Sequence, residues 1–221
     1  VINDIRDTLS SLDNTLSGAP EETLNPLVTA LMALSGLIQE SMVRSTGWRF
    51  IEIGRRLERS QQTTTIIRHL LANELAEADQ HSVNHALLLS LEVLISYRRR
   101  YGTRMEIHSC LNMVMLDIGN PRSLLYQLDQ LNQHLASLRK PNSYQELQAE
   151  ERAALELETH IRLSSLHLLS RAEDGKRKAL DAHLEHSSQL LDSISNFISE
   201  KYFDHRENSQ QLVQNVWEMT S

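Results

Sequence analysis

The sequence predicts an all-α protein, a single bundle or array of about seven to nine long amphipathic helices. Three observations carry that expectation. Only 7 glycines and 4 prolines punctuate 221 residues, so turns are scarce and the elements between them are long. Leucine and isoleucine recur at alternating steps of three and four, the spacing that keeps apolar side chains on one helical face. No sustained β-branched alternation marks a strand.

At the front, Ile2, Ile5, Leu9, Leu12 and Leu16 step by 3, 4, 3 and 4, and Gly18-Ala19-Pro20 ends that helix. Glu21 and Glu22 suit the first turn of the next helix, where the N-terminal dipole favours carboxylates. Leu24, Leu27, Leu31, Leu34 and Ile38 carry it to about Arg44, and the short link makes the pair an antiparallel hairpin. Ser45-Thr46-Gly47 then leads into the stretch that organises the rest of the chain, Gly47 to Leu71. Phe50, Ile53, Leu57, Ile67 and Leu71 form one stripe there, with Ser60 and Thr64 filling its gaps. Trp48, Ile51, Ile66 and Leu70 point elsewhere. So broad an apolar circumference predicts burial on several sides.

Ser82 to Tyr101 is apolar on almost every face, with Glu92 its lone interior acid. It predicts a second buried helix, ended by Arg98-Arg99-Arg100 in the last turn and Gly102 beyond. Phe50–Leu71 and Leu87–Tyr97 are accordingly expected to be the two most buried segments. Ile107, Leu111, Val114 and Ile118 mark a shorter helix that stops at Gly119. Asn120-Pro121 reads as an N-cap followed by proline at the first helical position, opening a helix through Leu124, Leu128, Leu131, Leu135 and Leu138. Ser143 with Glu146 reads as a capping box for a long helix to about Arg171, and Glu173-Asp174-Gly175 turns the chain. Leu180, Leu184, Leu191, Ile194 and Ile198 give the last helix, to Tyr202-Phe203. The helical domain is expected to span 1–205. Residues 206–221 form a polar tail in which Leu212, Val213, Val216 and Trp217 suggest a short docked helix.

The net charge of −7 argues against general binding to nucleic acid, whose backbone rewards a basic surface. The single cysteine, Cys110, sits in an apolar helical segment. It predicts an ordinary buried thiol and a reducing, cytoplasmic setting. The longest apolar run, Ala86 to Leu91, is broken by Glu92 and is far too short to span a bilayer. The chain begins with Val1 in mid-helix pattern, which predicts a preceding segment.

The chemistry to be explained is a charged girdle in the central helix: Arg55, Arg56, Glu58 and Arg59. Arg55 lies i, i+3 from Glu58 and i, i+4 from Arg59, so the three share one region of the helix surface. Two readings stand: an anion or carboxylate site with a positioned acid, or an ion-pair network that locks neighbouring helices. On either, Glu58 is expected to pair with Arg55, Arg59 or one of Arg98, Arg99 and Arg100, and its removal to cost roughly 3 kcal/mol or more. Gly54 reads as a point where another backbone passes close, since glycine inside a helix otherwise costs about 1 kcal/mol. Arg98, Arg99 and Arg100 could clasp phosphate or carboxylate, or could sit favourably at a helix C-terminus and pair with Glu92 or Glu58; at least one is expected to face inward. His81 with His85, and His183 with His186, have helical spacing but belong to no ligand motif and are expected to be solvated. No phosphate loop, dinucleotide fingerprint, nucleophile elbow or metal-ligand set is present. Neither a metal nor a cofactor is therefore expected.

Taken together, Gly47 to Phe50 (GWRF), Gly54 to Ser60 (GRRLERS), Tyr97 to Gly102 (YRRRYG), Leu116-Asp117 and Asn120 to Ser123 (NPRS) resemble the bacterial alpha-E family, with Tyr202 to His205 (YFDH) resembling its C-terminal end. That family is a helical domain named for a Glu-Arg motif. The resemblance places Glu58 and Arg59 on that motif, with Gly54 and Arg55 at its start. Trp48, Arg49, Asp117 and Arg122 match the flanking motifs. An earlier helix of the family, with its own Glu-Arg pair, is not matched, so a site shared with it is expected to be incomplete in these residues. Members of the family occur beside, or fused to, a circularly permuted ATP-grasp domain, often near a transglutaminase-like protease. The resemblance therefore implies a peptide-ligation or peptide-modification system.

Three functions are consistent with these features. The first is a non-catalytic helical accessory domain that binds an ATP-grasp ligase or presents its peptide substrate. The second is an enzyme with Glu58 as general base and Arg55 or Arg98 to Arg100 holding a carboxylate or phosphate; adjacent arginines oppose the raised pKa such a base needs. The third is a structural homo-oligomer, for which the three-four stepping is suited. What separates them is whether Arg55, Glu58 and Arg98 to Arg100 meet in an open cleft or a closed core.

Overall fold

A computed structural model of the chain describes residues 2–11, 19–139 and 146–204. Ten α-helices are formed among them: α1 (Ile2–Ser11), α2 (Pro20–Ser41), α3 (Thr46–Leu71), α4 (Glu77–Ser90), α5 (Leu94–Tyr101), α6 (Ile107–Leu111), α7 (Leu124–Ala136), α8 (Ala149–Arg162), α9 (Leu166–Ser170) and α10 (Lys178–Tyr202). A π-helical turn, Asn112–Leu116, extends α6. There is no β-strand among the described residues; Asn73, Glu173 and Lys176 form isolated bridges only. No helix there is long and apolar enough to cross a membrane. The protein is all-α. Its helices outnumber the runs read from the sequence because two long apolar stretches are each divided by a turn.

The chain forms two compact units, residues 1–51 and 52–221. In the first, α1 packs on α2, with Pro20 at the start of α2 and Glu21 and Glu22 in its first turn. No residue of α2 is fully buried, and Leu31 and Met32 are 47% and 71% exposed. The apolar stepping of α2 is thus only partly covered. Arg44 lies over the Trp48 ring, 4.3 Å from its centroid.

In the second unit α8 packs between α7 and α10. Leu124, Leu128, Leu131 and Leu135 of α7, Ala154, Leu157 and Ile161 of α8, and Leu180, Leu184, Leu191 and Ile194 of α10 make up the core of the unit. All are buried, at the stepping the sequence displays. Cys110, Leu111, Val114 and Met115 add a buried layer from α6 and the π turn. Burial pushes the Cys110 thiol up to about 12, which makes it an inert core residue. On the α3 stripe Ile53, Ser60, Thr64, Ile67 and Leu71 are buried, whereas Phe50 and Leu57 are half-buried and Ile51 is exposed, so α3 buries one face rather than several.

Four expectations need correction. The helix expected over Ser82–Tyr101 is α4 and α5, separated at Leu91–Glu92, and Leu89 and Ile95 are exposed. Leu87–Tyr97 is thus not among the most buried segments. The break is a Schellman closure, with the Glu92 N–H donating to Leu89 O and the Val93 N–H to Leu88 O, both at 2.9 Å. Glu92 takes φ +57°, the position that glycine usually fills, at a cost of about 1 kcal/mol for a residue with a Cβ. Asn120-Pro121 is a turn rather than a helix start; Ser123 caps α7 and accepts the Tyr126 N–H at 3.2 Å. The long helix to Arg171 is α8 and α9, and α8 opens on a capping box of Gln148 and Glu151. Finally, no residue of Arg98, Arg99 and Arg100 faces inward: α5 is short, and only Tyr97 of its residues is buried. Ser143, the break at Gly18 and the tail of 206–221 lie outside the described residues.

The ends of α3 and α10 are held together by one buried arginine. Asp174 and Gly175, both at positive φ, make a two-residue turn closed by paired bonds between Glu173 and Lys176. Its glycine carbonyl accepts the Glu74 N–H at 2.9 Å, and the Arg177 N–H donates to Ala72 O at 2.7 Å. The Arg177 side chain, 4% exposed, donates to Leu71 O (3.0 Å), Asn73 O (2.8 Å), Ser170 O (3.2 Å) and Gln80 Oε1 (3.0 Å). Burial lowers its pKa. Arg177→Met is expected to destabilise the second unit by about 3 kcal/mol, because it strands buried carbonyls of three segments. An unchanged denaturation midpoint would show that these carbonyls find other partners.

Candidate functional site

The arginine site is built on α3 and on the loop that enters α7. Glu52, in the second turn of α3, is 1% exposed; its Oε1 lies 3.0 Å from Arg55 Nη1 and its Oε2 2.7 Å from Arg56 Nη2. Spacings of three and four residues let one acid serve both cations. Arg56 Nη1 also donates to Gln127 Oε1 on α7 at 3.2 Å, and the Gln127 amide donates to the Pro121 carbonyl. A buried carboxylate is thereby connected to the 117–123 loop.

That loop is shaped by its own polar groups. The π turn runs out at Asp117, whose Oδ1 accepts the Gly119 N–H at 3.1 Å and whose carbonyl accepts Ser123 Oγ at 2.7 Å. Asn120 Nδ2 donates to Met113 O at 2.9 Å, and Asn120 Oδ1 accepts the Arg122 N–H at 3.0 Å. These bonds fix the backbone on both sides of Arg122 and aim that residue toward the α3 cations.

Arg59 shows what the arrangement produces. It is half-buried and hydrogen-bonds no described residue. Burial lowers its pKa, then the like charges of Arg122, Arg56 and Arg55 lower it further, against the opposing pull of Glu52. Arg122 is paired with Glu92. Arg55, Arg56, Arg59 and Arg122 therefore share Glu52 and Glu92, an excess of positive charge in partly dry surroundings. Such a cluster suits a carboxylate or phosphate, which guanidinium groups bind bidentately.

The sequence-derived candidates divide accordingly. Arg55, Arg59 and Arg122 meet here. Glu58 does not: it is exposed and accepts from Gln62 Nε2 at 2.8 Å. The acid inside the girdle is Glu52, more than one helical turn earlier on α3. Arg100 pairs with Asp117 at 2.6 Å at the base of the loop, Arg98 approaches His85 at 3.5 Å, and Arg99 is exposed. Gly54 is exposed, and a Cβ there would meet nothing within 4 Å, so no backbone passes close. Trp48 and Arg49 lie in the first two turns of α3, within the first unit. Glu52 and Gln127 were missed. The clue for Glu52 was its place three and four residues before two arginines.

A second polar cluster was also missed. His183, expected to be solvated, stacks on His160 with ring centroids 3.8 Å apart, and His186 meets His160 edge-on at 4.9 Å. Burial, then His160 and His186, push His183 down to about 4. His160 lies on another helix, so no local spacing could announce the stack. Among the described residues no group of His, Cys, Asp and Glu is disposed to hold a metal.

Comparison with known proteins places these residues in context. Residues 1–203 match the Alpha-E family, described as a predicted alpha-helical domain with a conserved ER motif. Uncharacterised proteins of Mycobacterium bovis and Mycobacterium tuberculosis are each 33% identical to it over 174 residues, 78% of this chain and 19% of theirs. The chain thus spans about a fifth of the length of the curated relatives it matches. No solved structure matches.

Glu52→Ala is expected to cost about 2–3 kcal/mol, at or just below the lower end of what a broken buried pair costs, because the freed arginines can turn to solvent. Glu58→Ala should leave the melting temperature within error. Gly54→Ala should stabilise by roughly 0.5–1 kcal/mol, through the better helix propensity of alanine and its smaller unfolded-state entropy. For His183 the folded pKa lies below the unfolded value of about 6.5, so the unfolded state takes up the proton first. Its contribution to stability is complete above about pH 6.5 and is lost as pH falls toward about 4. His183→Gln should therefore flatten the loss of stability between pH 7 and pH 5; identical acid profiles would place the neutral imidazole elsewhere.

Proposed function

The chain belongs to the Alpha-E family, and from that premise we propose that it is a non-catalytic helical accessory domain that binds a carboxylate-bearing peptide. It acts with an ATP-grasp-type peptide ligase in a peptide-modification system. The observation that carries the binding reading is Arg59, half-buried, hydrogen-bonded to no acid among the described residues and crowded by Arg55, Arg56 and Arg122. A cation cluster of this kind is relieved by an incoming anion. The ligase partnership rests on the genomic company that the family resemblance implies, and a ligase would supply the ATP chemistry. The alternative of Glu58 as general base loses its geometric support, because Glu58 is exposed and bonded to Gln62. A second reading, self-association through the first unit, is favoured by the exposed Val28, Leu31, Met32 and Leu37 of α2.

Calorimetric titration with a short glutamate-terminated peptide should show binding that Arg59→Gln and Arg122→Gln each weaken at least tenfold, about 1.4 kcal/mol. The same variants should reduce co-purification with a co-expressed ATP-grasp ligase without changing the ligase's ATP hydrolysis. Peptide-dependent turnover by this chain alone, abolished by Glu58→Gln, would instead make it an enzyme. Sedimentation velocity of Met32→Glu against the parent chain tests the second reading; a parent that stays monomeric at high concentration rejects it.

A further inference from the structure

Glu92 occupies a position that the backbone reserves for glycine. The Schellman closure of α4 needs positive φ between Leu91 and Val93, and Glu92 adopts φ +57° to supply it. The turn makes no use of the side chain, which is 69% exposed. The carboxylate is nonetheless engaged: it is tied to Arg122 Nη2, across from α3. A strained residue whose polar group points at a charged cluster marks a functional contact more readily than a structural one. Arg122 is also the strongest like charge on Arg59. Glu92, tied to Arg122 and largely exposed, meets the cluster from its solvent side.

We infer that Glu92 is an internal stand-in for the carboxylate of the ligand, and that the ligand is a peptide carboxylate, either a glutamate side chain or a C-terminus. This rests on the peptide-binding reading above. In the free protein Glu92 seats on Arg122; in the complex the peptide carboxylate takes its place and is shared by Arg122 and Arg59. Exchange of one carboxylate for another keeps the charge around Arg122 constant, and an ion pair this exposed is weak enough to exchange. Because Glu92 is tethered, it competes at a high effective concentration and lowers the apparent affinity for the ligand. A phosphate could use the same donors, so phosphate is the natural competitor in the test.

The full chain is titrated with a short acetylated peptide ending in glutamate and, separately, with inorganic phosphate at matched ionic strength. Parent, Glu92→Gly, Glu92→Gln and the double variant Glu92→Gly with Arg59→Gln are compared. Glu92→Gly should bind the peptide 5- to 10-fold more tightly, with an equal or higher melting temperature because the strain at residue 92 is gone. Glu92→Gln keeps the strain and removes the charge, and should bind more tightly by a similar factor; the double variant should lose the gain. If the parent binds and both single variants bind equally or more weakly, Glu92 is a structural partner of Arg122 and the inference falls while the site stands. Phosphate bound more tightly than peptide overturns the carboxylate assignment. Absence of peptide binding by parent and variants alike removes the site itself.

Discussion

The second unit depends on a cation that is buried among neutral oxygens. Arg177 hydrogen-bonds no carboxylate among the described residues; its guanidinium is satisfied by the carbonyls of Leu71, Asn73 and Ser170 and by the Gln80 amide oxygen. Carbonyls at a helix end have no intrahelical donor, and Leu71 ends α3. One side chain from the start of α10 therefore closes α3 and sets where α4 and α9 can lie. The planar fork of an arginine can do this, whereas the single ammonium of a lysine could not reach all four acceptors. The Asp174-Gly175 turn just before it delivers the residue at the required angle.

With the end of α3 anchored, its other charges follow from geometry. Arg68 reaches Asp181 at 2.6 Å and also pairs with Glu185, and Gln61 reaches Ser188 at 2.7 Å, so α3 is held along α10 over several turns. Two turns earlier Glu52 and Arg56 are turned toward α7 and meet Gln127. The buried stripe of α3 is thus polar at Glu52, Ser60, Thr63 and Thr64 before it becomes apolar at Ile67 and Leu71. A polar stripe specifies alignment, because each group needs one particular partner. It also leaves Arg55 and Arg59 at the rim, where a charge is partly dry and still reachable.

Several residues that break local rules lie on the elements that carry this rim. A glutamate stands where a Schellman closure asks for glycine, a glycine stands exposed inside α3 where alanine would be better, and a π turn interrupts α6 just before Asp117. Departures of this kind concentrate at functional positions, where a site is bought with local stability. They lie on α3, at the α4–α5 closure and at the entry to α7.

The helical class, the amphipathic faces of α7, α8 and α10, and the buried thiol of Cys110 were legible in the chain itself, because they depend on periodicity and composition, which are local. The family motifs were legible too, as stretches, and so was the stripe of α3 from Ile53 to Leu71. What the chain could not announce were partners separated by tens of residues: Arg56 with Gln127, Glu92 with Arg122, His160 with His183, and Arg177 with the end of α3. The break at Leu91–Glu92 was hidden because an all-apolar run reads as helix whether or not a turn divides it, and only tertiary contact decides that a glutamate will accept positive φ. For the same reason Glu58 looked central. Spacing places it beside Arg55, but which face of α3 is buried is decided by the helices against it, and they cover Glu52 instead.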